Sequence, residues 1–131
     1  MTNDVDATLS ADSHDDATLP DFAERYLGRH GGEKPDWVVT SPPYKGAIKY
    51  VQAALAVCSK GAALKLPLSF LEPCKDRGSW LVENPPSCCI FFRRGQADHY
   101  GALKVGEFWG VWERSGASLP TRERSAFLFT L

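Results

Sequence analysis

Apolar residues are sparse over the first 35 positions, where Leu19, Phe22, Tyr26 and Leu27 recur at helical spacing. That pattern predicts one short amphipathic helix behind a polar loop. Asp16 or Thr18 is placed to cap it ahead of Pro20, and Gly31-Gly32 to end it. The pattern changes at Trp37. Trp37-Val38-Val39-Thr40 is short, continuous and β-branched, which predicts a strand covered on both faces. Ser41-Pro42-Pro43-Tyr44 stops it, because two prolines refuse both ladder donation and helix. Ile48, Val51, Leu55 and Cys58 then follow the i, i+3, i+7, i+10 rule of an amphipathic helix, closed by Ser59-Lys60-Gly61. Ala62 to Leu71 predicts a second strand, in which Pro67 is awkward for a central position. A loop with Pro73, Lys75, Asp76, Arg77 and Gly78 follows. Cys88 to Phe92 and Phe108 to Trp112 are strand-like by residue type, and Phe127 and Phe129 alternate within a last short strand.

Strand, helix and strand in succession imply a parallel pair joined by a right-handed crossover, so the class is α/β. The 131 residues suit a single domain, 1–131, of which 1–34 form an acidic, loop-rich segment with one short helix. At 44% apolar and 24% charged residues the chain is neither globally disordered nor collagen-like. No apolar run approaches the roughly 20 residues of a membrane helix, and the acidic start has no secretory h-region. Vicinal Cys88-Cys89 in an apolar run suits buried free thiols rather than a disulfide framework, and the chain reads as cytoplasmic and reduced. Cys58, Cys74 and His99 do not complete a C-x-x-C zinc pattern, so no metal site is expected.

The net charge of -1 conceals an asymmetry. Residues 1–24 hold seven acids and no Lys or Arg, whereas the other 107 hold nine acids and fifteen bases. An acidic head on a basic body is compatible with a polyanionic partner. Lys75, Arg77, Arg93 and Arg94 are candidate phosphate contacts or ordinary solvated charges. Trp109 and Trp112 suit a core better than a stacking platform, and Trp80 is the better candidate for partial exposure.

The chemistry concentrates in Asp36 to Lys45. In an open parallel sheet, ligands sit beyond the carboxyl ends of the strands. There the prolines fix φ and provide carbonyls without competing N–H groups, so the Ser41 hydroxyl and Pro42 carbonyl can point outward together. Two adjacent acceptors hold both hydrogens of an amino group, and Tyr44 can stack on the ring bearing it. The plainer reading is a proline-rich turn on which Tyr44 merely packs.

Thr40-Ser41-Pro42-Pro43-Tyr44 resembles the (N/D/S)-P-P-(Y/F) motif of amino-group DNA methyltransferases, especially small phage and bacterial DNA adenine methyltransferase-like proteins. Leu66 to Arg77 is similar to the family's fifth strand and the loop after it. Glu83-Asn84-Pro85-Pro86-Ser87 with the apolar run and Arg93-Arg94 is similar to the sixth strand, and Phe108 to Glu113 to the last. The resemblance implies a class I methyltransferase Rossmann-like fold, truncated: a mostly parallel sheet with an antiparallel strand near the C-terminus. It implies S-adenosylmethionine as cofactor and an exocyclic amine of a nucleic-acid base as target, adenine N6 ahead of cytosine N4. Ser41, Pro42, Pro43 and Tyr44 become the catalytic tetrad. Asn3-Asp4-Val5-Asp6 resembles the end of the second strand, which would give Asp4 the ribose hydroxyls and Val5 the adenine. Asp16 falls where a third-strand acid contacts the adenine amine. Without the resemblance these acids read as a solvated leader.

The chain departs from the family in two ways. Serine in the tetrad is more typical of cytosine-N4 enzymes, and the first strand with its glycine-rich loop has no counterpart ahead of Asn3. In the family order 3-2-1-4-5-7-6, strands 4, 5, 7 and 6 would remain contiguous, leaving a bare parallel edge at Trp37–Thr40 for a partner chain or second copy. DNA is the expected partner, with RNA or a protein glutamine as other planar amines of the same shape. The alternative is a non-catalytic nucleic-acid-binding or scaffolding half-domain completed by another chain.

Overall fold

A computed structural model describes residues 1–72, 74–92, 106–114 and 127–129. Its elements in chain order are α1 (Phe22–Arg29), β1 (Trp37–Thr40), α2 (Ala47–Val57), β2 (Gly61–Pro67), a 3-10 turn (Leu68–Leu71), α3 (Lys75–Glu83), β3 (Cys88–Phe91), β4 (Glu107–Glu113) and β5 (Phe127–Phe129). The five strands form one mixed sheet in the order β1-β2-β4-β3-β5. β1 runs parallel to β2 and β3 parallel to β5, while β4 is antiparallel to both of its neighbours. Four strands therefore share one direction and β4 alone opposes them. The fold is α/β, with β1, β2, β4 and β3 contiguous in the sheet.

The core lies between the sheet and α2. Ala62, Leu64 and Leu66 on β2 face the same way as their β4 partners Trp112, Gly110 and Phe108. Leu64, Leu66 and Phe108 are completely buried, as are Val51 and Cys58 on and after α2 and, almost completely, Phe70 in the 3-10 turn. Phe70 meets Trp112 edge to face at 6.3 Å, and Phe91 stacks on Phe108 at 5.9 Å. Gly110 lies between Phe108 and Trp112 along β4, and a Cβ there would come within 2.8 Å of the Trp112 ring. A second cluster, Phe22, Tyr26 and Val57, joins α1 to α2 and reaches Val38.

Several elements depart from the sequence expectation, each for a local reason. The second strand ends at Pro67, whose missing N–H suits a strand terminus, and Leu68–Leu71 turns instead of extending. The loop expected after it contains α3, whose Trp80 and Leu81 pack against the core despite Gly78 within the helix. Trp80 lies 6.3 Å from Trp112, and the Trp112 Nε1–H donates to the Asn84 carbonyl at 3.0 Å, which fastens the end of α3 to β4. α1 starts at Phe22 with Asp21 as N-cap, not Asp16 or Thr18. Gly31 and Gly32, both at positive φ, follow its end.

Gly61 does not close α2 in a left-handed conformation. It opens β2, where a Cβ would lie 2.5 Å from the Trp112 carbonyl oxygen and 2.6 Å from the Trp37 ring. The return from α2 is instead set by Pro35 and Asp36, whose carbonyls accept from the amides of Ser59, Lys60 and Gly61. β1 is covered on one side only: Trp37 and Val39 are exposed, Val38 and Thr40 half-buried. Cys88 and Cys89 are free and half-buried, not buried. No helix among the described residues is long and apolar enough to cross a membrane.

Candidate functional site

The acidic head is folded onto the body. Asn3 and Ser13 form an isolated parallel bridge, with Asp4 N–H donating to the Ser13 carbonyl at 3.1 Å and Ser13 N–H to the Thr2 carbonyl at 3.2 Å. The Asn3 amide fastens this bridge: its Nδ2 donates to the Asp15 carbonyl, and its Oδ1 accepts from Ser13 Oγ and the Asp15 amide at 2.8 and 3.0 Å. Asp15, 3% exposed, pairs through Oδ1 with Arg29 at 3.2 Å and Arg25 at 4.0 Å, which ties α1 to the head.

Between the head and β1 lies a cavity of about 480 Å³. That volume is in the range of small-molecule sites, about 300–1,000 Å³. Its lining unites Asp4, Val5 and Asp16 from the head with Ser41, Pro42 and Pro43 from the loop after β1. Phe22, Tyr26, Trp37 and Tyr50 are among its walls, and no Lys, Arg or His lines it. Three acidic residues, Asp4, Asp15 and Asp16, are part of this otherwise largely apolar and aromatic lining. Asp15 Oδ2 is buried with no hydrogen-bond partner.

Each head residue is held differently. Asp4 Oδ1 accepts from the Asp6 amide at 2.9 Å. The Val5 side chain is largely exposed at 66%. Asp16 Oδ1 accepts from the Thr18 amide at 2.8 Å and the Thr18 hydroxyl at 2.7 Å, a side-chain turn that replaces the helix cap expected there. These two bonds hold its carboxyl below the usual carboxylate range, against the small opposing effect of burial.

The tetrad divides between the cavity and the sheet edge. Pro42 is buried, whereas Ser41 and Pro43 are exposed. Ser41 has no hydrogen-bond partner among the described residues. Parallel pairing commits the backbone groups of Asp36, Val38 and Thr40 to β2 and turns those of Trp37 and Val39 toward the open edge. Tyr44 lies outside the cavity lining. Its hydroxyl donates to Glu107 Oε1, and Glu107 Oε2 accepts from Lys65 Nζ at 2.8 Å. Burial, then the Glu107 contact, pushes the Tyr44 phenol up to about 12. Burial also acts to raise the Glu107 carboxyl, but Lys65 and the Tyr44 hydroxyl outweigh it and hold that carboxyl below its ordinary range.

The basic candidates are less concentrated. Arg77 Nη2 donates to the carbonyls of Ser69 and Glu72, at 2.9 and 3.0 Å, and contacts Cys74 Sγ at 2.8 Å; its guanidinium lies over the Phe70 ring. Those contacts hold it against its own chain. Lys75 is the first residue of α3. Pro73, Arg93, Arg94 and His99 lie outside the described residues.

Sequence reasoning missed Asp15, Lys65 and Glu107. Lys65, a lone charge inside an apolar strand, was a signal that a buried partner exists, but nothing local names Glu107 as that partner. No family profile, no curated protein and no solved structure matches the chain.

Proposed function

We propose that the chain is an S-adenosylmethionine-dependent methyltransferase acting on the exocyclic amine of a nucleic-acid base, adenine N6 ahead of cytosine N4, built on a class I Rossmann-like half-sheet. The observation that carries the reading is convergence. The resemblance implies Asp4, Val5 and Asp16 as cofactor contacts, backbone chemistry makes Ser41 and Pro42 amine acceptors, and these five line one cavity with Pro43 of the tetrad. The strand order β1-β2-β4-β3, with β4 antiparallel, supports the same fold.

The residues fit the cofactor by chemistry. Of the three acidic residues in the lining, only Asp15 is paired with arginines among the described residues. Asp4 and Asp16, with no Lys, Arg or His in the lining, favour a hydroxyl-rich, positively charged nucleoside over a phosphate-bearing one. S-adenosylmethionine, when bound, supplies a methyl group on a sulfonium. Asp4 accepts the ribose hydroxyls, Val5 contacts the adenine face and Asp16 accepts from the adenine amine. At the other end, the Ser41 hydroxyl and the Pro42 carbonyl accept the two hydrogens of the target amine, which orients its lone pair. Tyr44 stacks on the ring that bears the amine. A paired base hides that amine, so the base must leave the duplex. Positioning carries most of the rate, and the amine's proton leaves after transfer.

The test is calorimetric titration with S-adenosylmethionine, repeated with Asp16→Ala, followed by labelled-methyl transfer to DNA, RNA and protein. Micromolar binding, roughly −8 kcal/mol, weakened about tenfold or more by Asp16→Ala, is the expected result. Absence of binding at millimolar ligand overturns it.

A second reading rests on β1, which pairs only with β2 among the described residues and exposes Trp37 at 38% and Val39 at 67%. On that reading the chain is a nucleic-acid-binding or scaffolding half-domain whose sheet another chain completes. A stable monomer by light scattering, unchanged at high concentration and binding the cofactor, decides against it.

A further inference from the structure

We propose that Glu107, held by Lys65, is a positioning residue that fixes the direction of the Tyr44 ring axis, and with it the place of the ring, for stacking on the target base, an inference that rests on the methyl-transfer reading above. Three elements converge to make this contact. Tyr44 follows β1, Lys65 lies near the carboxyl end of β2 and Glu107 opens the antiparallel β4 beside it. All three therefore stand at the edge of the sheet where ligands of parallel folds bind.

Glu107 is 7% exposed. A carboxylate so placed persists only when its oxygens are engaged. Lys65 Nζ takes Oε2 and the Tyr44 hydroxyl takes Oε1, so the anion is satisfied by one cation and one neutral donor. Lys65 also lies 5.8 Å from the Phe92 ring centroid, which limits where its ammonium can go. The pair is thus a fixed acceptor presented to Tyr44.

The consequence falls on the ring. Tyr44 is 38% exposed, so part of it stays open to solvent while its hydroxyl is held from beneath. The backbone end is stiffened by Pro42 and Pro43, whose φ angles are fixed. A side chain held at both ends keeps one χ1 rotamer and spends less entropy when a second ring lands on it. The phenol, protonated throughout the physiological range, acts as an anchor and not as a base. A phenylalanine presents a similar ring face but has no hydroxyl for Glu107 to hold, so its ring is not fixed in place for stacking.

The experiment uses the full chain with a single-stranded oligonucleotide carrying 2-aminopurine, whose fluorescence falls when it stacks. In parallel, the χ1 rotamer of Tyr44 is followed by NMR scalar couplings on tyrosine-labelled protein, the Tyr44 signal being assigned by its loss in Tyr44→Phe. The expected result is a single χ1 rotamer of Tyr44 in the native chain and rotamer averaging in Glu107→Gln. Stacking quench and kcat should fall together, about tenfold, in Glu107→Gln and in Tyr44→Phe, with KM for the oligonucleotide changed less than threefold. The double variant should be no worse than either single one. Tyr44→Phe leaves the Lys65–Glu107 pair intact, so it keeps the test informative if Glu107→Gln folds poorly. Unchanged quench and kcat in Tyr44→Phe overturn the positioning role alone. Absence of both quench and transfer in the native chain overturns the methyl-transfer reading, while the χ1 rotamer still reports whether Glu107 holds Tyr44.

Discussion

The two ends of the β1–β2–β4 ribbon use similar residues for opposite purposes. Along β2 and β4, Leu64, Leu66 and Phe108 are sealed from solvent by α2 and by Phe70. Along β1, Trp37 and Val39 are just as apolar yet stand exposed beside a cavity. The difference lies in what each strand has on its far side. β2 has a neighbour on both edges and a helix on its face, whereas β1 has β2 on one edge and a cavity rimmed by the acidic head on the other. Hydrophobicity alone therefore did not decide burial; topology did.

The sharpest way to break this contrast is to truncate a residue on the sealed side. Phe108→Ala should lower unfolding stability by about 3–5 kcal/mol, measured by urea denaturation. Next comes the joint between the two regions. Gly61→Ala drives a methyl group into the Trp112 carbonyl and the Trp37 ring. A loss of about 1–3 kcal/mol is expected, and a neutral result would mean that β1 shifts freely. Asp15→Ala removes the partner of Arg29 and Arg25, and so should loosen the head from α1. About 1–2 kcal/mol is expected, with faster proteolysis of the head as a second readout.

An alkaline titration probes the sheet edge. The folded-state pKa of Tyr44 is raised to about 12 from 10.0, so its contribution to stability is complete below pH 10 and is lost as pH rises toward 12. The effect is screened because the ring is partly exposed. Burial also raises the Tyr26 phenol, so absorbance at 295 nm should show more than one late-ionising tyrosine, and Tyr44→Phe should remove the step near pH 12. Glu107 carries the opposite sign, since a depressed carboxyl stabilises above its ordinary pKa and loses that effect as pH falls below it. The smallest effect belongs to the open side. Val39→Ala should change stability by less than about 0.5 kcal/mol. A loss as large as that at Phe108 would show that β1 is covered in solution and would favour a partner chain.

Much of the fold was legible because its elements are short and strongly patterned. The β-branched run at Trp37–Thr40, the helix after the prolines and the strands at Cys88 and Phe108 all fell within a few residues of their observed bounds. α3 was not legible: Gly78 and the charges around it read as loop, and only the packing of Trp80 on Trp112 rewards a helix there. The covered faces of β1 were misjudged for the same kind of reason, since a continuous apolar run cannot say whether a neighbour will arrive.

The site divides along the same line. Ser41, Pro42 and Pro43 announced themselves, because rigid carbonyl-rich turns after strands are local features of backbone chemistry. The acids of the head carried no such certainty, and it took the Asn3–Ser13 bridge and the burial of Asp15 to show them as a folded wall. Lys65 and Glu107 were beyond reach, as was the anchor of Tyr44 on a residue 63 positions away. Local propensity and periodicity determined where strands, helices and the proline loop begin. Which charges meet, which apolar faces close and where the cavity opens were decided by tertiary structure, because these depend on chain segments brought together only by the crossover and the antiparallel return of β4.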